Sequence, residues 1–432
     1  MSTLVKQEQV TNAVESPKVR SQFAYRVMLV FSFLYYFRPE DIIPGLSGVP
    51  LAKITGGIAL LGLLLGTSKG RPKKLPVEVR LLFAMFGWLI LTIPFAWWRG
   101  GSFNVVVWEF SKAVIIALTL TLTVSYLFEL RRLIFVQTVG VALMTTGAIA
   151  INHRVNGRLT GLGDALLSNP NDLATNIALN WPLCLAFLLH ARGMLKKMFW
   201  AFSMLAMIYA VMATYSRAGF IALSLAIVVC LWEFGVRGKK FYILAGSVLC
   251  GLLLMVVAPQ NYGKRLETLI GRFQQEDKDN GSAAARTELL VRSVQITATH
   301  PVFGVGPGNF APYTNLWRVT HNTYTQFSSE CGIPALLMFL ALLSRAFRNL
   351  RYVRKLPRSR ETAEMHLWGS ALWAGLIAYF VGAFFAGTAY QLFPYYMITY
   401  TALLYKLALQ QAKTVAVMKN EIQVPQPVYS PV

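Results

Sequence analysis

Acidic side chains are scarce in this chain: 19 Asp and Glu stand against 41 Lys and Arg among 432 residues, a net charge of +22. The one DxD triplet in a loop expected to face outward, Asp277-Lys-Asp279, stands in a polar run with no histidine or further motif beside it. There is no HExxH, and no pair of carboxylates flanks a candidate site. Metal-dependent transfer and carboxylate-pair hydrolysis therefore find little support. Charge of either sign is also low, at 14% of residues, against about 25% in a soluble domain. Cysteine is confined to Cys184, Cys230, Cys250 and Cys331, in or beside apolar stretches and without CxxC spacing. That implies neither a disulfide framework nor a zinc site. No A-x-A site follows the basic start and the apolar run at 27–37, so that run is expected to be an anchor and not a cleaved signal. There is no internal repeat and no heptad pattern.

Apolar residues are abundant, at 55%. Several apolar runs reach the roughly 18 residues needed to cross a bilayer. They run without alternating, which favours helices over a barrel. The expected fold class is an all-α polytopic membrane protein. About twelve spans are expected, near 22–37, 50–67, 79–97, 104–127, 133–151, 171–190, 198–214, 218–235, 241–258, 322–344, 366–387 and 392–411. The chain then divides into a cytoplasmic tail at 1–21, nine spans over 22–258, an outward loop over 259–321, three spans over 322–411 and a second cytoplasmic tail at 412–432.

The excess of positive charge would suggest nucleic acid in a soluble protein. Here it falls in alternate loops. With the N-terminus inside, the inward loops carry Lys69, Arg71, Lys73, Lys74 and Arg80; Arg131 and Arg132; Arg192, Lys196 and Lys197; Arg237, Lys239 and Lys240; and a run from Arg345 to Arg360. This is the positive-inside pattern, and it places both termini in the cytoplasm. The long loop at 259–321 is then outside. Its centre at 274–282 is polar, and 283–299 reads as a helix lying on the outer surface, with Leu289, Leu290, Val294 and Ile296 on its apolar side.

Three constellations carry chemistry. The first is His300-Pro-Val-Phe-Gly-Val-Gly-Pro-Gly-Asn309, leading to His321-Asn322. A turn so rich in glycine needs positive φ or close backbone approach. It lacks the Lys-Ser/Thr of a Walker motif. From His321, the residues Tyr324, Thr325, Ser328 and Gly332 fall at helical offsets and form a polar-to-small stripe. His321 is either a proton acceptor above that stripe or an interfacial cap. Glu330 falls about half a turn from the stripe. The second is Thr214-Tyr-Ser-Arg-Ala-Gly219, which breaks a long apolar region. Ser216 is a good N-cap. A helix start beside Arg217 forms an anion site, or else Arg217 snorkels at the interface. The third is Asn169-Pro-Asn-Asp172 with Arg158 upstream, either a functional patch or a plain turn and cap. Arg286, in the outward loop, is alone an ordinary surface arginine.

Together these patches resemble the O-antigen ligase and O-antigen polymerase superfamily of bacterial envelopes. The likeness runs over about 150–345: Arg158-Leu-Thr-Gly-Leu with Asn169-Pro-Asn171, then Ser216-Arg-Ala-Gly219, then Arg286 through the glycine turn to His321-Asn322 and Glu330-Cys-Gly-Ile-Pro334. One departure is Thr287-Glu-Leu-Leu290, where relatives often carry a tryptophan. The resemblance implies a metal-independent, GT-C-like glycosyltransferase with no cofactor. It takes a glycan from undecaprenyl diphosphate at the periplasmic face of the inner membrane. Ligases pass the glycan to the lipid A core, polymerases to another lipid-linked unit, and other relatives to protein hydroxyls. By position, His321 corresponds to the catalytic histidine and Arg217 and Arg286 to the diphosphate-binding arginines. Arg158, Asn171, Asn322, Tyr324 and Glu330 are secondary candidates. The partners implied are the lipid-linked donor, the acceptor glycan and membrane lipids, with no nucleic acid. The chemistry agrees independently: two guanidinium groups and a helix start stabilise a diphosphate leaving group, and a neutral imidazole accepts the acceptor's proton with direct inversion. A small-anion transporter using Arg217 is the alternative of another class, but it should show repeat symmetry. A structural scaffold leaves the His321 stripe unexplained.

Overall fold

The computed structural model describes residues 22–41, 45, 46, 49–65, 75–155, 157–162, 169–238, 241, 242, 282–316 and 319–423. The expected ninth span at 241–258 lies almost wholly outside them, as do most of the loop before the surface helix, the tail at 1–21 and the last residues of the tail at 412–432.

The described chain is helical apart from one short antiparallel hairpin. Its helices are α1 (Gln22–Phe37), α2 (Leu51–Leu65), α3 (Val77–Thr92), α4 (Arg99–Thr123), α5 (Leu127–Ala150), α6 (Pro170–His190), α7 (Met194–Ala213), α8 (Arg217–Val236), α9 (Ser282–Thr299), α10 (Phe310–Thr314), α11 (Thr323–Lys355), α12 (Ala363–Gly382) and α13 (Phe393–Gln423). Strands β1 (Arg154–Val155) and β2 (Arg158–Leu159) pair between α5 and α6. Eight of the described helices are long and apolar enough to cross a membrane: α3 with its Ile93–Phe95 extension, α4 to α8, α11 and α12. The chain is an all-α polytopic membrane protein.

Helix α6 is the hub. Every residue from Leu173 to Phe187 is buried, which marks a helix surrounded by protein on all sides. Small residues let its neighbours approach. A Cβ at Gly219 of α8 would stand 2.2 Å from the Ala174 Cβ, and one at Gly375 of α12 would stand 2.6 Å from the Leu179 carbonyl oxygen. Close packing of this kind replaces the hydrophobic effect between helices in lipid. Its buried amides are paired: Gln137 of α5 donates to Asn180 at 2.8 Å, and Asn180 donates to Asn176.

The helix ends sort into two faces. At the basic end, Arg131 pairs with Glu364 at 3.0 Å, Arg345 with Glu78 at 3.1 Å and Arg354 with Glu233. At the other end, the motif end, lie the β-hairpin, the starts of α6, α8 and α11, and the end of α12.

Two expectations need correction. The basic stretch at 345–360 is largely helix and not loop, because α11 runs on to Lys355. No helix breaker occurs between Arg345 and Pro357, and buried acids hold the extension. Asn349 joins Arg345 on Glu78 at 2.9 Å, and Ser370 joins Arg354 on Glu233 at 3.1 Å. The surface helix α9 buries Leu289, Ser293 and Ile296, whereas Leu290 and Val294 are exposed. A 3.6-residue period puts 289, 293 and 296 on one side and turns 290 and 294 away from it.

Candidate functional site

The site begins where α6 and α8 start side by side. Asn169 caps α6, its side chain accepting the Asn171 amide at 2.9 Å. Ser216 caps α8, its hydroxyl accepting the Gly219 amide at 3.1 Å. The two caps are joined, because the Ser216 hydroxyl donates to the Asn171 side-chain oxygen at 2.8 Å. Arg158 of β2 donates to that same oxygen at 3.2 Å and to the Thr214 carbonyl at 2.8 Å. Two of the secondary candidates, Arg158 and Asn171, thus lock the hairpin, α6 and α8 into one junction. Arg217 stands at the first position of α8, where first-turn amides have no intrahelical acceptor.

Arg286, in the first turns of α9, is brought to Arg217 across the fold. Burial holds the Arg286 guanidinium below its ordinary pKa, and the charge of Arg217 lowers it further. Two cations held against their own repulsion at a helix start form a place for an anion.

His321 precedes the third helix start. Asn322 caps α11, its side chain accepting the amides of Tyr324 at 2.9 Å and Thr325 at 3.1 Å. His321 itself is left-handed, with φ of 49°, as is Tyr215 just before Ser216, also 49°. An L-residue there costs about 1–2 kcal/mol, a kind of strain that gathers at functional sites. His321 therefore lies outside the helix, and the stripe counted from it does not hold. Tyr324 donates to the Phe380 carbonyl at 2.7 Å, and Ser328 meets Thr297 of α9 at 2.8 Å. The segment between α12 and α13 closes over this start. Thr323 donates its amide to the Ala383 carbonyl at 2.8 Å and its hydroxyl to Ala386 at 2.6 Å. Thr388 bridges Thr323 at 2.9 Å and Tyr379 at 3.0 Å.

The glycine-rich turn is a clasp between backbones. Gly304, Gly306 and Gly308 all have positive φ. Val305 and Gly306 donate to the carbonyls of Ser329 and Glu330 at 3.0 and 2.8 Å, and Ile333 donates to Pro301 at 2.8 Å. Helix α11 breaks to receive them: Gly332 has φ of 82° and ψ of 169°. From the other side, Trp97 donates its amide to Val305 at 2.9 Å, and the Ser102 hydroxyl donates to Pro307 at 3.0 Å. Glu330 seals the clasp, accepting the Gly308 amide at 2.9 Å, the Phe310 amide at 3.3 Å and the Tyr390 hydroxyl at 2.7 Å. Burial and the neighbouring Cys331 and Glu330 push the Tyr390 phenol well above its ordinary pKa, so it stays a donor. The turn expected at the chemical end is thus spent on protein backbone, and Glu330 is spent on the turn.

Residues 181–340 match the family model described as O-antigen ligase. That region is similar to the O-antigen ligase superfamily. No curated protein matches the chain. The matched O-antigen ligase region contains Arg217, Arg286, His321 and the clasp at Glu330, while Arg158 and Asn171 precede it. Ligase- or polymerase-type glycan transfer is the activity this superfamily carries. The 383–392 segment, which borders this site, escaped sequence reasoning. The apolar count of the eleventh span ran through it to 387. The signal was Gly387-Thr-Ala-Tyr390, a small and polar interruption between two apolar runs.

Proposed function

We propose that this chain transfers a glycan from undecaprenyl diphosphate to an acceptor hydroxyl, as an O-antigen ligase, with the lipid A core as acceptor. The observation that carries the reading is the approach of Arg217 to Arg286 at the start of α8. Two elements, 69 positions apart in the chain (286 − 217), bring like charges together at the end opposite the basic face. Such an arrangement concentrates positive charge at a helix start, and a lipid-linked diphosphate is an anion that complements it.

In this reading the basic end is cytoplasmic and the motif end faces the periplasm of the inner membrane. Arg217, Arg286 and the first-turn amides of α8 grip the diphosphate and stabilise the charge it gains as the anomeric C–O bond breaks. His321 accepts the proton of the acceptor hydroxyl as its oxygen attacks the anomeric carbon from the opposite side, inverting it. The products are the extended acceptor, undecaprenyl diphosphate and a proton on the imidazole that passes to water. No general acid is required, because the diphosphate is already a good leaving group.

The test uses purified full-length protein in detergent with an undecaprenyl-diphosphate-linked glycan and rough-type lipopolysaccharide. His321→Ala should lower kcat by ~10²–10⁴-fold, the range of general-base catalysis. Near-normal turnover removes His321 from the chemistry. Deletion in the native host separates ligase from polymerase. Lipid A core left without glycan, with long glycan on the carrier, means ligase; single-repeat glycans mean polymerase.

A further inference from the structure

The backbone at His321 is held from outside its own segment. Its φ of 49° is one that an L-residue keeps only when its surroundings impose it. Before it, the Thr320 hydroxyl donates to the Asn322 carbonyl at 3.2 Å. After it, the Thr323 amide and hydroxyl reach the carbonyls of Ala383 and Ala386, at 2.8 and 2.6 Å. The 383–390 segment runs directly alongside: a Cβ at Gly387 would stand 3.8 Å from the His321 amide nitrogen and 3.4 Å from Gln326 Oε1. That segment is itself fixed at Ala389. Its amide donates to Gln326 Oε1 at 3.3 Å, and its carbonyl accepts the Tyr395 hydroxyl at 2.6 Å.

Counting protons gives the hydroxyls one order. A threonine hydroxyl has a single proton. That of Thr323 goes to Ala386, so Thr388 is the donor in the 2.9 Å bond between the two threonines. The Thr388 proton is then used, so Tyr379 donates in the 3.0 Å bond between Tyr379 and Thr388. The chain runs from Tyr379 to Thr388 to Thr323 to Ala386. The Thr388 amide adds a second donor to the Thr323 oxygen at 3.1 Å. All three side chains are fully buried, where each bond strengthens its neighbours and no rotor is left free. They are sealed away from any substrate, so what they govern is the backbone they hold.

We infer that Thr388 is a positioning residue for His321: through Thr323 it fixes the left-handed backbone at 321 and so the direction of the imidazole. This rests on the glycan-transfer reading above, in which that imidazole accepts the acceptor's proton. Thr388 gives and takes no proton in the reaction. Helix α12 and the segment after it thereby act on the chemistry without touching substrate. A misplacement of about 1 Å in a reacting group costs about 10²-fold in rate, so loss of the tether is felt in kcat.

The test is a double-mutant cycle on purified full-length protein in detergent, with undecaprenyl-diphosphate glycan as donor and rough-type lipopolysaccharide as acceptor. Thr388→Val keeps the shape and removes the hydroxyl. It should lower kcat by ~10–10²-fold and leave both KM values little changed. Thr388→Ser, which keeps the hydroxyl, should restore most of the rate. In a His321→Ala background, Thr388→Val should cost almost nothing more, because a group that acts only through His321 has nothing left to position. A merely structural role lowers the rate equally in both backgrounds. That result, or a Thr388→Ser as slow as Thr388→Val, overturns this inference alone. Near-normal turnover in His321→Ala overturns the glycan-transfer base and this inference with it. Tyr379→Phe, which removes the first donor of the chain and leaves the threonines paired, carries the same comparison if Thr388→Val does not fold. If neither folds, the chain of hydroxyls belongs to the scaffold and the proposal fails.

Discussion

Replacing Gly332 by alanine is the sharpest test of the clasp that supports the site. Gly332 has φ of 82° and ψ of 169°, a region that costs an L-residue about 1–3 kcal/mol. The new Cβ would lie 1.8 Å from the Val302 carbonyl oxygen and 2.4 Å from its carbon. Backbone cannot yield as a side-chain tip can, so the turn must lift away from α11. Three backbone hydrogen bonds then go, from Val305 to Ser329, Gly306 to Glu330 and Ile333 to Pro301, at about 1 kcal/mol each. The sum is a loss of about 4–6 kcal/mol. The control is Gly87→Ala, in the middle of α3 with nothing within 4 Å of the added Cβ. There alanine should be neutral or stabilising by about 0.5–1 kcal/mol. Thermal unfolding of both purified variants in the same detergent is the assay. Gly332→Ala should melt well below the wild type and Gly87→Ala at or above it. If Gly332→Ala melts with the wild type, the clasp argument is wrong, because the turn must then be free to move.

Other outcomes follow from the same geometry. Arg217→Lys keeps the charge but loses the guanidinium fork. Donor KM should rise while the melting midpoint holds, measured by titrating the lipid-linked donor; an unchanged donor KM takes Arg217 out of the anion site. Arg158→Ala removes the bonds to Thr214 and Asn171, so unfolding should become easier by about 2–4 kcal/mol, read from the melting midpoint. Glu78→Ala strands the half-buried Arg345 and frees Asn349. Breaking a buried pair costs about 3–5 kcal/mol, which should appear as low yield of folded protein by fluorescence size-exclusion chromatography. Glu78→Gln, which keeps one acceptor, should fall between Glu78→Ala and the wild type.

How much could be read beforehand depended on whether a residue's task was local. Apolar runs announce spans, and six of the expected ones coincide with helices α3 to α8 within a few residues at most ends. Caps were also legible: Ser216 and Asn169 act as their types predict. His321 was found, but its helical offsets were not, because a left-handed residue looks no different in sequence from a helical one. The tasks of Glu330 and the glycine turn were hidden for another reason. Their partners, at 96–102 and 390, are distant in the chain, and backbone-to-backbone contact leaves no side-chain pattern to detect. The meeting of Arg217 with Arg286 is likewise a long-range fact that spacing could not supply.

The clasp also constrains the order of assembly. Its early donors, the Trp97 amide and the Ser102 hydroxyl, are synthesised about two hundred residues before the Val305 and Pro307 carbonyls that accept from them. Until the ribosome has passed Ile333, the elbow between α3 and α4 is an unfinished edge at the membrane surface. A nascent chain halted before that point carries most of the early helices yet lacks the keystone that fixes them against α11, so quality-control proteases should recognise it by that open elbow.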